Sequence, residues 1–126
     1  MILLNTTDDK VLNRVSIKTS LIDLIYGPLE NQCLYILKHS SHDVTSMVYE
    51  AATTLRGIAR HKYPVNVVNA SLFRDSLEIK DYVNKRGGVI IFDEAECLEH
   101  IEGAVETLRG LESAYAKLVY VKSQKG

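Results

Sequence analysis

The sequence predicts an α/β fold: a three-layer α/β/α sandwich on a mainly parallel sheet of about four strands. Two observations carry that expectation. Short, largely apolar runs recur at CLYIL (33–37), VNVV (65–68), VIIF (89–92) and KLVYV (117–121), without the polar alternation of a half-wet sheet. Between them, apolar residues return at three- and four-residue spacing, the helical period. Parallel strands require crossover connections, and helices laid over both faces supply them.

In chain order, residues 8–26 read as helix in two pieces. Val11, Leu12 and Val15 make a short apolar face; Leu21, Ile22, Leu24 and Ile25 cluster after a second start at Ser20 and Asp23. Gly27-Pro28 stops the helix, because proline cannot continue it. After the first strand and a polar loop, KHSSHD, comes the clearest element of the chain. Val44, Met47, Val48, Ala51, Ala52, Leu55, Ile58 and Ala59 share one helical face. The second strand follows Pro64, and a more polar helix spans 74–85. Gly87-Gly88 ends that helix and launches the third strand. Ile101, Ala104, Val105, Leu108 and Leu111 form a last apolar face, with Glu102, Glu106 and Arg109 on its wet side, before the fourth strand and a five-residue polar tail.

The 126 residues suit one domain, 1–126, made of an N-terminal helical segment (1–30) and an α/β core (33–122). A net charge of −1 with no long block of like charge argues against nucleic acid and acidic membranes as partners. The start MILLNTTDDK lacks the charge and apolar length of a signal peptide, and no run approaches a membrane span. Cys33 and Cys97 show no disulfide-framework spacing. A cytoplasmic protein with reduced thiols is expected.

Ligands of parallel α/β sheets bind at the strands' carboxyl ends, so the chemistry is sought in 38–45, 69–76, 93–98 and 122–126. GGVIIFDEA (87–95) is the pattern of the metal-binding strand of a P-loop ATPase: Asp93 in the magnesium position and Glu94 in the position that polarises the attacking water. Acidic residues after a buried strand also often just begin the next helix, where its dipole favours them. The partner of such a strand is a phosphate loop, GxxxxGK[ST], after the first strand. Lys38 to Thr45 has the right place and length but no glycine. With Thr45 in the Ser/Thr slot, Val44 replaces the lysine and Asp43 its preceding glycine, which puts a carboxylate where phosphates would sit.

The order of these segments resembles the AAA+ domain of bacterial enhancer-binding proteins, the ATPases that remodel polymerase carrying sigma-54. Ser20–Ile25 resembles the family's leading helix and Cys33–Leu37 its first strand. Tyr63–Leu72 (YPVNVVNASL) is similar to "PFVAVNCAAL", and Gly87–Ala95 to "GGTLFLDEI". The likeness covers roughly 18–122. By resemblance, Lys38, Thr45, Asn69, Asp93 and Glu94 are remnants of a nucleotide site, Asn69 matching the asparagine after the second strand. The chain departs from the family in its glycine-free loop and in lacking a GAFTGA loop, a fifth strand after the fourth, arginine fingers, a helical lid and a helix-turn-helix. The resemblance thus implies a degenerate, short-form domain that does not hydrolyse ATP and acts by engaging a protein partner or itself, with transcription regulation as the family's setting. An ATPase binding Mg-ATP atypically through Lys38, Asp93 and Glu94 is the enzyme alternative.

Four further constellations bear on function. His39, His42, Cys97 and His100 fall on two loops of the same predicted edge and offer zinc-type ligands, although loop histidines are more often solvated and Cys97 suits a small buried position. Cys97 beside His100 or His42 lacks the oxyanion glycine of a nucleophilic enzyme. A receiver domain is rejected because Asp8-Asp9 precedes a helix and Val121-Lys122-Ser123 lacks a following proline. Seven tyrosines are spread too evenly for a base-stacking platform and are expected at the core margin.

Overall fold

The computed structural model describes residues 1–28, 30–39, 42–58, 63–112 and 116–123. Five strands alternate with helices: β1 (Ile2–Asn5), α1 (Lys10–Tyr26), β2 (Cys33–Lys38), α2 (Val44–Ile58), β3 (Val65–Asn69), α3 (Ser76–Arg86), β4 (Gly88–Asp93), α4 (Ala104–Leu111) and β5 (Ala116–Ser123). Short 3-10 turns at Ala70–Leu72 and Ala95–His100 follow β3 and β4. The sheet runs β1-β2-β5-β4-β3, every neighbouring pair parallel. No described helix is long and apolar enough to cross a membrane.

Side chains alternate across each strand, so the sheet feeds two cores. On one face α1 and α2 lie over Leu34, Ile36, Val89, Ile91, Val119 and Val121. On the other, α3, α4 and both 3-10 turns cover Ile90, Phe92, Leu118 and Tyr120. The chain steps one way along the sheet with α1 and α2 and returns with α3 and α4. A right-handed crossover places the two pairs of helices on opposite faces for that reason.

The predicted sandwich is present, with five strands in place of about four. The additional strand, β1, pairs Ile2–Asn5 with Leu34–Leu37. Its four residues are half exposed at alternate positions, and so brief an edge strand leaves no periodic signal. The N-terminal segment is accordingly a strand followed by one unbroken helix. Asp9 caps α1, accepting from the amides of Val11 and Leu12 at 2.9 and 3.2 Å, while Ser20 is buried within it and starts nothing. Val11, Leu12 and Val15, expected to face the core, point outward; the buried face is Asn13, Ile17, Ser20, Leu21 and Leu24.

Met47, Val48, Ala52 and Leu55 of α2 are buried as expected; the side chain of Ile58 and all of Ala59 lie outside the described residues. Val105 is exposed, because α4 begins only at Ala104 and turns Ala104 and Leu108 inward. The expected polar tail begins later, since β5 runs to Ser123, and residues 124–126 lie outside the described residues. Tyr120 is a core residue, stacked between Tyr35 and Phe92 with ring centroids at 4.6 and 5.5 Å, whereas Tyr115 lies outside the described residues. The ground for rejecting a receiver domain also changes. Asp8-Asp9 does follow a strand, but the sheet order β1-β2-β5-β4-β3 is not the flavodoxin-like 2-1-3-4-5.

Gly87-Gly88 performs the expected double task. Gly87 closes α3 with positive φ, its N–H donating to the Val83 carbonyl. Gly88 opens β4 at φ +67°, where an added Cβ would lie 2.2 Å from the Pro64 carbonyl oxygen. Gly88→Ala should therefore cost at least about 2 kcal/mol, from the left-handed backbone and the clash together. A fall in the denaturant midpoint at unchanged slope is the expected readout.

Candidate functional site

The direction reversal of the chain places the topological switch point of the sheet at the carboxyl edge between β2 and β4, with β5 between them. Four of the five residues assigned by sequence to a nucleotide site border it. Thr45, in the first turn of α2 and almost fully buried, donates from Oγ1 to Oδ1 of Asp93 at 2.8 Å. The hydroxyl and carboxylate are 48 residues apart in sequence, and together they tie the start of α2 to the end of β4. Oδ1 of Asp93 also accepts the Glu94 amide at 2.9 Å. Lys38 ends β2, in register with Ser123. Asn69 lies one strand further out, directly opposite Asp93 in the β3–β4 register. Its side chain accepts from the amide and hydroxyl of Ser71 at 2.9 and 2.6 Å and so caps the 3-10 turn.

Glu94 does not cap the turn it precedes: its side chain makes no capping bond. Instead its backbone is left-handed, φ 50° and ψ 46°, the one non-glycine among the described residues with positive φ. The expected helix cap is thus replaced by a strained corner that turns the chain from β4 into the 3-10 turn.

The start of α2 is closed by its own sequence. Asp43 accepts from the Ser46 amide at 3.1 Å and from the Ser46 hydroxyl at 2.8 Å. The Ser46 amide, then its hydroxyl, then the charge of Lys38 hold the Asp43 carboxyl below its ordinary value. A P-loop leaves those helix-terminal amides open to phosphate and brings a lysine to neutralise it. Here an aspartate takes the amide, and the neighbouring lysine's charge acts on that aspartate. Val44, in the lysine's slot, is fully buried in the first core. Ser40 and Ser41 of this loop lie outside the described residues.

The proposed zinc ligands go to separate tasks. The His39 amide donates to Thr6 Oγ1 at 2.7 Å, stitching the segment after β2 to the one after β1. His42 Nε2 lies 2.8 Å from the Asp8 carbonyl oxygen. Cys97 packs against the second core, and His100 is exposed at the end of the 3-10 turn. No group of three or more metal-ligating side chains forms among the described residues. Both cysteines are free. Burial first, then Glu94 and Glu96, raises the Cys97 thiol, the opposite of what a nucleophile needs.

A pocket of about 260 Å³ opens on the α4 face and escaped the sequence reading. Tyr35 and Tyr120 form its floor, with Arg109 and Glu112 among its polar lining and Lys122 paired to Glu99 beside it. Glu112 accepts from the Tyr120 hydroxyl at 3.2 Å. Burial, then the Glu112 charge and hydrogen bond, pushes the Cys33 thiol up to about 12. These residues come from β2, the 3-10 turn after β4, α4 with its C-terminal end, and β5, and only the β2–β5 register, Tyr35 opposite Tyr120, brings the floor together.

Thr45→Val should lower stability by about 1 kcal/mol, since Asp93 keeps the Glu94 amide as a partner. Asp43→Ala should cost about 1 kcal/mol as a lost N-cap, and Asp43→Ser much less. Because the folded Asp43 carboxyl is depressed, its stabilisation is full above its ordinary value of 3.8 and disappears as pH falls through the lower folded value. Urea titrations between pH 7 and about pH 2.5 should find the wild-type advantage over Asp43→Ala shrinking at the acid end.

No family model, curated protein or solved structure matches the chain.

Proposed function

We propose that the chain is a non-hydrolysing, P-loop-like module that regulates by engaging a protein partner or another copy of itself. The observation that carries this reading is the Asp43 carboxylate on the Ser46 amide. Anion binding at a helix start requires open amides and net positive potential. The edge instead presents Asp43, Asp93 and Glu94 with Lys38 near them, a poor seat for a triphosphate. The fully buried Val44 supports the same conclusion, because the position of the P-loop lysine carries a core side chain and no cation. A net charge of −1 supports a protein partner over nucleic acid. The degenerate AAA+ assignment, and with it the setting of sigma-54-type transcription regulation, belongs to this proposal and rests on the YPVNVVNASL and GGVIIFDEA segments.

One observation favours the rival, an ATP-binding domain of atypical design. In P-loop enzymes the loop's Ser/Thr and the acidic residue of the strand hold magnesium together. Thr45 and Asp93 stand in hydrogen-bond contact, and this is the pair that such a design would use. Thermal unfolding with and without millimolar Mg-ATP or Mg-ADP separates the two. A ligand at a hundredfold excess over its Kd adds about 2.7 kcal/mol to apparent stability. The proposed function predicts no upward shift. A shift that disappears in Asp93→Asn would replace it with the ATP-binding reading.

A further inference from the structure

Helix α1 is apolar on two opposite sides. One side, Ile17, Leu21 and Leu24 with Asn13 and Ser20, is buried in the first core. On the other, Leu12, Val15, Thr19, Ile22 and Tyr26 follow one another at spacings of three, four, three and four residues, all exposed. Leu12 is 50% exposed, Val15 58% and Tyr26 55%, and Val11 widens the strip at 69%. At about 100° per residue this strip is centred opposite the buried side, facing straight away from the sheet. Its spacing is the a/d seam of a coiled coil over two heptads. The patch is on the order of a few hundred Å², a size that monomers also carry, so its heptad spacing and the charges beside it have to identify what covers it.

The charges that flank the seam identify the partner. With Leu12, Thr19 and Tyr26 at a and Val15 and Ile22 at d, Lys18 falls at g and Asp23 at e. In a parallel pair of helices, g of one chain meets the e position five residues on in the other. Lys18 and Asp23 are five residues apart, so two copies related by a two-fold axis along α1 bring both Lys18–Asp23 pairs together at once. Both side chains are exposed, and neither Lys18 nor Asp23 has an ion-pair partner among the described residues. We infer that α1 is a homodimerisation helix: a second copy of this chain packs its own α1 in parallel against the Leu12–Tyr26 seam, with register fixed by reciprocal Lys18–Asp23 pairs. The seam is smaller than the roughly 800 Å² per partner of a standard interface, so the dimer is concentration-dependent. It gives the self-association named in the functional reading a surface and a register, and it stands whether or not the carboxyl edge binds nucleotide.

Sedimentation equilibrium of the full chain across the micromolar range tests this. The wild type should move from monomer to dimer, and Val15→Lys, a substitution on the solvent side that leaves the core intact, should stay monomeric with an unchanged circular dichroism spectrum. Lys18→Glu and Asp23→Lys should each weaken self-association several-fold through two like-charge contacts. Mixing these two variants should restore it, because in the mixed dimer position 18 of each chain again faces a position 23 of opposite charge. A chain monomeric at all these concentrations overturns the inference, as does a dimer indifferent to Val15→Lys. Loss of dimer on Val15→Lys without recovery in the mixture overturns the parallel arrangement. Should the seam instead bind a helix of a different protein, with the wild type itself monomeric, the second copy is the wrong occupant.

Discussion

A sheet of parallel strands has to be covered on both faces, and the structure is organised by how a short chain meets that constraint. With α1 and α2 over one face and α3 and α4 over the other, β2, β4 and β5 are nearly dry. The cover reverses direction along the sheet, and reversal leaves the one place where loops from opposite faces diverge. Thr45 and Asp93 meet at that place. The switch point is therefore a product of topology first. Its chemistry is decided afterwards by the few residues that border it.

Those residues are committed to closing the edge. Asp43 seals the start of α2, Asn69 the turn after β3, and Asp93 receives both the Thr45 hydroxyl and the Glu94 amide. Each is a side chain that an open site would leave free for a ligand. Together they turn the edge into a set of internal caps, each contributing about 1 kcal/mol to holding a helix or turn on its strand. A carboxyl edge held by such caps is a rigid frame. The same frame presents α1 with its second apolar side outward.

Much of the fold was legible because fully buried strands leave apolar runs that hardly depend on context. CLYIL, VIIF and KLVYV became β2, β4 and β5 with ends shifted by at most two residues. β1 was not legible: an edge strand of four residues has one neighbour, and its pattern is too brief to repeat. The orientation of α1 failed for a different reason. With apolar residues on both sides, periodicity shows that a helix exists but cannot show which side meets the sheet. Asn13 and Ser20 take buried places that Leu12 and Val15 were expected to fill. Asn13 is tolerated there because its side chain accepts from the Thr7 amide at 2.8 Å and donates to the Thr7 carbonyl at 2.8 Å. At the site, motif order put Thr45 and Asp93 at the ends of neighbouring segments, but their hydrogen bond and the capping by Asp43 required the fold of the first turn of α2. The Tyr35–Tyr120 pocket depends on strand register, which sequence spacing does not encode.

The central claim is that the start of α2 is closed to phosphate by the chain's own carboxylate. Proton–nitrogen correlation spectra recorded while Mg-ATP is titrated into the labelled protein test it at the atoms concerned. The account predicts that the amides of Thr45, Ser46 and Glu94 stay in place up to millimolar nucleotide. Saturable movement of those three amides, absent in Asp93→Asn, would contradict it.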